Sequence, residues 1–264
     1  MPDTTAAHSK RNRLFLVLSV IFLTNAIIAE LIGVKIFSAE ATLGLPPAQL
    51  PLFGFVLDFN LAAGVILWPT VFIATDIINE YFGKKGVKLI SYLTVGAIAY
   101  VFLVIYLTTQ LAPAAFWLEV NQLDEAGRPF DIDYAFNTVY GQGLGIIIGS
   151  LLAFLLGQLL DVFVFQRLRR ITGEDKIWLR ATGSTLVSQL IDSYVVLFIA
   201  FYVFGNWPFL QIIAVGLVNY TYKALIAIVL TPLLYVAHHR IDRYLGQDLS
   251  ATMMQEASQD TSFF

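Results

Sequence analysis

The sequence predicts an all-α membrane protein with six transmembrane helices and both termini in the cytoplasm. Three observations predict it. Of the 264 residues, 58% are hydrophobic and only 13% charged, about half the charge of an ordinary soluble domain. Mean hydropathy is +0.73, carried by apolar runs long enough to cross a hydrocarbon core of about 30 Å. Lys and Arg cluster at every second connection between those runs. The expected organisation is a polar cytoplasmic tail over residues 1–13, a membrane domain over 14–244, and a polar, disordered tail over 245–264. Lys10, Arg11 and Arg13 precede the first apolar run without a small-residue cleavage pattern, so that run reads as a retained helix and not a signal peptide.

The spans follow in order. The first runs from about Leu14 to Ser38, interrupted only by Asn25, Glu30 and Lys35. A loop over Ala39 to Leu57, with Pro46, Pro47 and Pro51, excludes a regular helix. The second span covers about Phe59 to Phe82, with a kink expected at Pro69. The third, Val87 to Leu111, is almost purely apolar and reads as scaffold. The longest loop, Ala112 to Thr138, is acidic, and its Phe116 and Trp117 suit a membrane interface. The fourth span, about Val139 to Phe165, repeats Gly145, Gly149, Ala153 and Gly157 at four-residue spacing. This smooth stripe invites close approach of a neighbouring backbone and is also the candidate surface for a homodimer. The fifth span is expected at Ala181 to Phe204 and the sixth at Phe209 to about Ala237.

Charge sets the orientation. Lys10, Arg11 and Arg13, then Lys84, Lys85 and Lys88, then Arg167, Arg169, Arg170, Lys176 and Arg180, and finally Arg240 and Arg243 all fall on one side of this layout. Arg128 alone falls on the other. The positive-inside rule makes the basic side cytoplasmic.

The polar residues inside the spans carry the functional reading. Asp76, Asn79 and Glu80 sit at i, i+3 and i+4, so a helix stacks them on one face. A carboxylate exposed to hydrocarbon costs roughly 2.5 kcal/mol or more, so that face should look into a cavity or the protein interior. A rise of about 1.5 Å per residue places Asp76 roughly 10 Å from the cytoplasmic end of its helix and Gln189 roughly 12 Å, with Asp192 about one turn deeper. Lys223 reaches a similar level, and Asn25 and Asn219 fall nearer the midplane. A shared pocket explains this common layer. The bland alternative is that an Asp–Lys ion pair merely locks spans two, five and six. Glu30 and Lys35 are expected to snorkel outward, and Gln158 and Asp161 to pair with the basic loop.

Carboxylates accept, amides donate and accept, and lysine donates, while Tyr81, Tyr194, Tyr220 and Tyr222 offer rings for stacking. That inventory suits a flat heterocycle with a guanine-like edge. Several chemistries are excluded. Cysteine is absent, and neither a phosphate-binding G-x-x-x-x-G-K-[ST] nor an H-E-x-x-H or G-x-S-x-G sequence occurs. The adjacent His238 and His239 diverge by about 100° on a helix and make a poor metal pair. No cofactor, metal or nucleic acid is expected, and the chain is not expected to be an enzyme.

Phe72-Ile73-Ala74-Thr75-Asp76 closed by Phe82-Gly83, Gly157-Gln158-Leu159-Leu160-Asp161-Val162 with Val164-Phe165-Gln166-Arg167-Leu168-Arg169, Ser184-Thr185-Leu186 with Asp192, and Leu217-Val218-Asn219-Tyr220 with Lys223 together resemble the queuosine precursor transporters, from Leu14 to Tyr244. The resemblance implies a six-helix, vitamin-importer-like bundle in the inner (plasma) membrane. It implies import of 7-deazaguanine bases such as 7-cyano-7-deazaguanine for tRNA modification, with Asp76, Asp192 and Lys223 in the pocket and Asn25 facing them. The family is also similar to substrate-binding subunits of energy-coupling-factor importers, which need a partner ATPase and carry A-x-x-x-A in the first helix. Here Ala26 and Ala29 are three apart, so a stand-alone carrier is the favoured expectation. The expected substrate-binding set is Asp76, Asn79, Glu80, Gln189, Asp192, Lys223, Asn25, Asn219 and Tyr220.

Overall fold

The structure is a computed structural model that describes residues 4–172 and 176–259. Helix α1 (Thr4–Ile32) starts ten residues before the expected span, because Lys10 and Arg11 are good helix formers and Arg11 pairs with Glu256 at 2.7 Å. Strand β1 (Ile36–Ser38) follows, then the short helix α2 (Ala39–Thr42). Strands β2 (Leu50–Leu52) and β3 (Phe55–Leu57) form a hairpin, and β4 (Asn60–Ala62) returns antiparallel to β1 with Phe37 opposite Leu61. The pairing folds the proline-rich loop back over the end of α1. Its interior is pinned by Glu40, whose carboxylate accepts hydrogen bonds from the backbone N–H of Phe59 at 2.8 Å and of Ala48 at 3.4 Å. Those donors hold the Glu40 carboxyl below its ordinary range.

A 3₁₀ turn over Ala63–Ile66 leads into α3 (Trp68–Thr109). At Gly64 an added Cβ would lie 2.5 Å from the carbonyl oxygen of Ala29, so only glycine permits this approach to α1. Pro69 lies in the first turn of α3, where its missing N–H costs nothing, and makes no kink. A straight 42-residue helix would span about 63 Å, twice a hydrocarbon core. The rod is broken at Gly83, whose φ of 65° and ψ of −164° are non-helical. The two limbs on either side correspond to the second and third expected spans, and the far limb turns Tyr92, Leu93, Tyr100 and Leu107 outward.

The acidic loop contains α4 (Ala115–Val120) and the amphipathic α5 (Ile132–Tyr140). Helix α6 (Leu144–Thr172) packs along α7 (Ile177–Leu197), which continues as a π-helical turn to Val203. The small-residue stripe is taken up by this contact: an added Cβ on Gly145 would strike Phe204, and Gly149 lies against Val196 and Ala200. The stripe is therefore an internal seam, covered by α7 and closed to a second copy.

Helix α8 (Phe209–Leu245) completes the bundle. Among the described residues, five helical stretches are long and apolar enough to cross a membrane. The core gathers where α1, α3, α6 and α8 meet, around Phe22, Ile78, Tyr81 and Phe165.

The C-terminal tail differs from expectation. Helix α9 (Gln247–Gln259) buries Ser250, Met253 and Ala257, and an added Cβ on Gly83 would meet the Ala257 carbonyl at 3.0 Å. Its mostly polar sequence concealed one small-residue face that fits against the break in α3. Residues 260–264 lie outside the described residues.

Candidate functional site

The polar face of α3 divides in two. At its lower end, toward the basic termini, Glu80 is gripped by Arg180 of α7, with Nη2 to Oε1 at 2.7 Å and Nε to Oε2 at 3.1 Å. Arg169 of α6 donates to the Glu80 backbone carbonyl at 3.2 Å and to that of Met254 at 2.8 Å. The Asn79 carbonyl accepts from Gln166 at 2.7 Å. Tyr81 donates to Asp242 at 2.7 Å, which also receives Ser250 and faces His238. Asn79 and Glu80, expected at the substrate, instead tie α3 to α6, α7 and α9. Arg169 and Arg180, counted as loop charges, are buried in the same knot.

One turn up the helix, Asp76 is 6% exposed, and its Oδ1 has no hydrogen-bond partner. It faces a narrow cavity of about 40 Å³ lined mainly by carbon, including Trp68, Phe72 and Tyr222, with Thr182, Thr185 and Lys223 as polar members.

A second cavity, of about 180 Å³, lies at the opposite end of the bundle from the basic termini. Glu30, Gln142, Ser150, Asp192, Asn219 and Lys223 supply its polar wall, and Trp68 and Phe154 its rings. Lys223 Nζ donates to Asp192 Oδ2 at 2.5 Å, with the two side chains 15% and 21% exposed. Glu30 does not snorkel: Ser150 donates to its carboxylate at 2.8 Å, and Gln142 donates to its backbone carbonyl at 3.3 Å. Lys223 and Trp68 line both cavities, so they mark the place where one gives way to the other. The direct pair does not fill the space beside it, and the polar wall stays open to a solute.

The remaining expected residues are scattered. The Asn25 amide donates to the Ile21 carbonyl of its own helix at 2.8 Å. Gln189 is buried with an unpartnered Oε1, and neither it, Asn25 nor Tyr220 lines either cavity. Gln158 accepts from Thr75 at 3.1 Å and Asp161 from Ser188 at 3.3 Å, so both face neighbouring spans and not the basic loop. Lys35, expected within the first span, is exposed and lies beyond the end of α1 at Ile32. Sequence reading missed Glu30, Trp68, Gln142 and Ser150. The first two carried a signal, an acid within a span and a ring beside the helix start; the others carried none.

Apolar spans around an interior cavity that ends on a charged pair define a multi-pass membrane transporter. The chain belongs to the family described as "Putative vitamin uptake transporter", which it matches over residues 62–237. It is 30% identical over 197 residues to the "Probable queuosine precursor transporter" of Bacillus subtilis, covering 74% of this chain and 80% of that one. It is 29% identical over 187 residues to the "Queuosine precursor transporter" of Escherichia coli, covering 69% and 73%. The "Probable queuosine precursor transporter" of Haemophilus influenzae is 29% identical over 189 residues, covering 69% and 71%. No solved structure matches the chain.

Proposed function

We propose that this chain is a six-span carrier of the inner membrane, with both termini in the cytoplasm, that imports queuosine precursors: 7-deazaguanine bases such as 7-cyano-7-deazaguanine. The observation that carries the reading is the Lys223–Asp192 pair, because Lys223 borders both the polar cavity and the narrow one. A guanine-like edge offers adjacent N–H and amino donors beside a ring carbonyl. Such a base can replace the pair's internal bond with two of its own, Lys223 donating to the carbonyl and Asp192 accepting from the N–H. Charge-assisted bonds of this kind are about twice as strong as neutral ones. Glu30 and Asn219 extend the polar wall, and Trp68 supplies a face for the ring.

A carrier working without a partner ATPase is supported by α1. Ala26 and Ala29 are 0% and 2% exposed and face the bundle, with Gly64 against Ala29. Its small residues are thus turned away from any external docking surface. The test is uptake of labelled base by the purified protein in sealed liposomes. Movement with no added subunit is the expected result. Binding without movement would overturn the carrier in favour of a substrate-binding subunit, and conversion of the base would overturn both.

A further inference from the structure

Two buried carboxyl groups take no part in the substrate cavity. Asp76 on α3 and Asp161 on α6 are 6% and 5% exposed, and the Thr75–Gln158 hydrogen bond of 3.1 Å joins the two turns that carry them. Oδ1 of Asp76 and Oδ2 of Asp161 have no hydrogen-bond partner, and among the described residues neither acid has an ion pair.

The groups around the two acids are hydroxyls, which offer oxygen lone pairs and carry no charge. Thr75 shares its one proton between the Val71 carbonyl at 2.9 Å and Gln158 Oε1 at 3.1 Å, while Ser184, which donates to the Ala181 carbonyl at 3.0 Å, and Thr185 also stand beside the Asp161 carboxyl. Ser188 divides its one proton between the Thr185 carbonyl at 3.1 Å and Asp161 at 3.3 Å. Charged groups on the packed elements are engaged elsewhere. Glu80 pairs with Arg180 and Arg169, Asp192 with Lys223, Asp242 with Tyr81 and His238, and Glu256 with Arg11, while Glu30, in the substrate cavity, accepts from the neutral Ser150 hydroxyl.

A buried ion without a counter-charge costs several kcal/mol even after relaxation. Two of them on adjoining turns of packed helices demand a positive charge. From this we infer that Asp76 and Asp161 form a site for a monovalent cation, a proton or a sodium ion, distinct from the substrate pair and coupled to it. The hydroxyl-rich setting suits either species, and the cation on the same cavity, Lys223, is engaged by Asp192. Access runs through the narrow cavity, which both Asp76 and Thr185 line.

Coupling has a structural route. On α7, Ser188 stands one turn from Asp192; on α6, Asp161 stands one turn from Gly157, whose added Cβ would lie 3.5 Å from Asp192. The cation site therefore sits about 5.4 Å further along the α6–α7 seam from the Lys223–Asp192 pair. A base that draws Lys223 away leaves Asp192 as an additional negative charge. A cation one turn along offsets it, so each occupant raises the affinity for the other.

The coupling rests on the carrier reading; the site itself does not. Two measurements separate them. In detergent, the thermal stability of the full chain is followed between about pH 6 and 9 in sodium or potassium chloride. A proton site predicts falling stability as pH rises, because the two buried charges are then uncovered; a sodium site predicts a higher unfolding temperature in sodium than in potassium. Asp161→Asn and Asp76→Asn should flatten whichever dependence is found. A wild type indifferent to both ions, with variants behaving identically, would overturn the site.

In liposomes, labelled base uptake is compared with an inward proton gradient, an inward sodium gradient, and none. One gradient should raise the initial rate by about fivefold or more, and the ratio should fall to one in Asp161→Asn. Equal rates in all three arms would overturn the coupling. Absence of uptake in every arm would overturn the carrier reading, with the site then decided by the stability measurement.

Discussion

Arg180 reaches across from the start of α7 to hold both carboxylate oxygens of Glu80, with 1% and 0% of the two side chains exposed. Removing one partner of such a pair leaves a buried charge without its counterpart, at a cost of about 3 to 5 kcal/mol. Glu80→Gln should therefore lower the unfolding temperature and the yield of folded protein sharply. Replacing both residues by apolar side chains of similar volume should recover much of the loss. Unfolding curves of the single and double variants in detergent test this. If Glu80→Gln matched the wild type in stability and lost only base affinity, the acid would belong to the substrate after all.

Lys223→Met should reduce uptake of labelled base by about 10- to 100-fold, the worth of one or two charge-assisted hydrogen bonds. Asp192→Asn can still accept from an N–H and should lose less. Initial rates in liposomes distinguish the two variants. Equal, unimpaired rates would remove the pair from the substrate path.

Glu30→Gln keeps the Ser150 contact and removes the charge facing the polar cavity. Affinity should fall by about tenfold or more for a base carrying an exocyclic amino group. It should fall less for an analogue without one. Competition binding with the two ligands reads the difference, and an equal loss for both would show that Glu30 does not contact that edge.

Glu40 provides a pH-dependent element outside the membrane. Its folded carboxyl titrates below the ordinary value of 4.5 because backbone N–H groups donate to it. Its contribution to stability is therefore complete above the unfolded value and disappears as pH falls through the folded one. Hydrogen exchange at the Phe59 amide should accelerate in acid below that ordinary value. In Glu40→Gln, which cannot titrate, the exchange should lack this pH step.

Gly83→Ala places a side chain at φ 65° and ψ −164°, a region nearly confined to glycine that costs about 1 to 3 kcal/mol, and brings its Cβ to 3.0 Å from the Ala257 carbonyl. Helix α9 should loosen first. Limited proteolysis should cut between Leu245 and Gln259 faster than in the wild type, with the membrane bundle left intact.

Much of the scaffold was legible in the chain because hydrophobic length and charge placement act locally. Both limbs of α3, α6, α7 and α8 follow from them in number and order, while single ends differ by up to about two and a half turns, as at Trp68 against the expected Phe59 and Leu245 against Ala237. That Lys223 needs an acid at its own depth was legible, with Asp76 and Asp192 both eligible; the structure pairs it with Asp192. For Asn79 and Glu80, periodicity reveals a shared face and not what stands opposite it; Arg180 lies 100 residues from Glu80 in the chain. Glu30 was misread because depth alone cannot tell an interface from a cavity closed by a folded loop. Helix α9 was missed because its buried face is made of Ser250, Met253 and Ala257, too small and mixed to register as apolar.

The docking of α9 against Gly83 makes the end of the chain part of the frame. Arg11 reaches Glu256, and Arg169 reaches the Met254 carbonyl, so α1 and α6 are both fastened to it. A purification handle that replaced the residues after Leu245 would strip the cover from the bend in α3 and release Arg169 from one of its acceptors. The same handle appended beyond Gln259 would leave those fastenings in place.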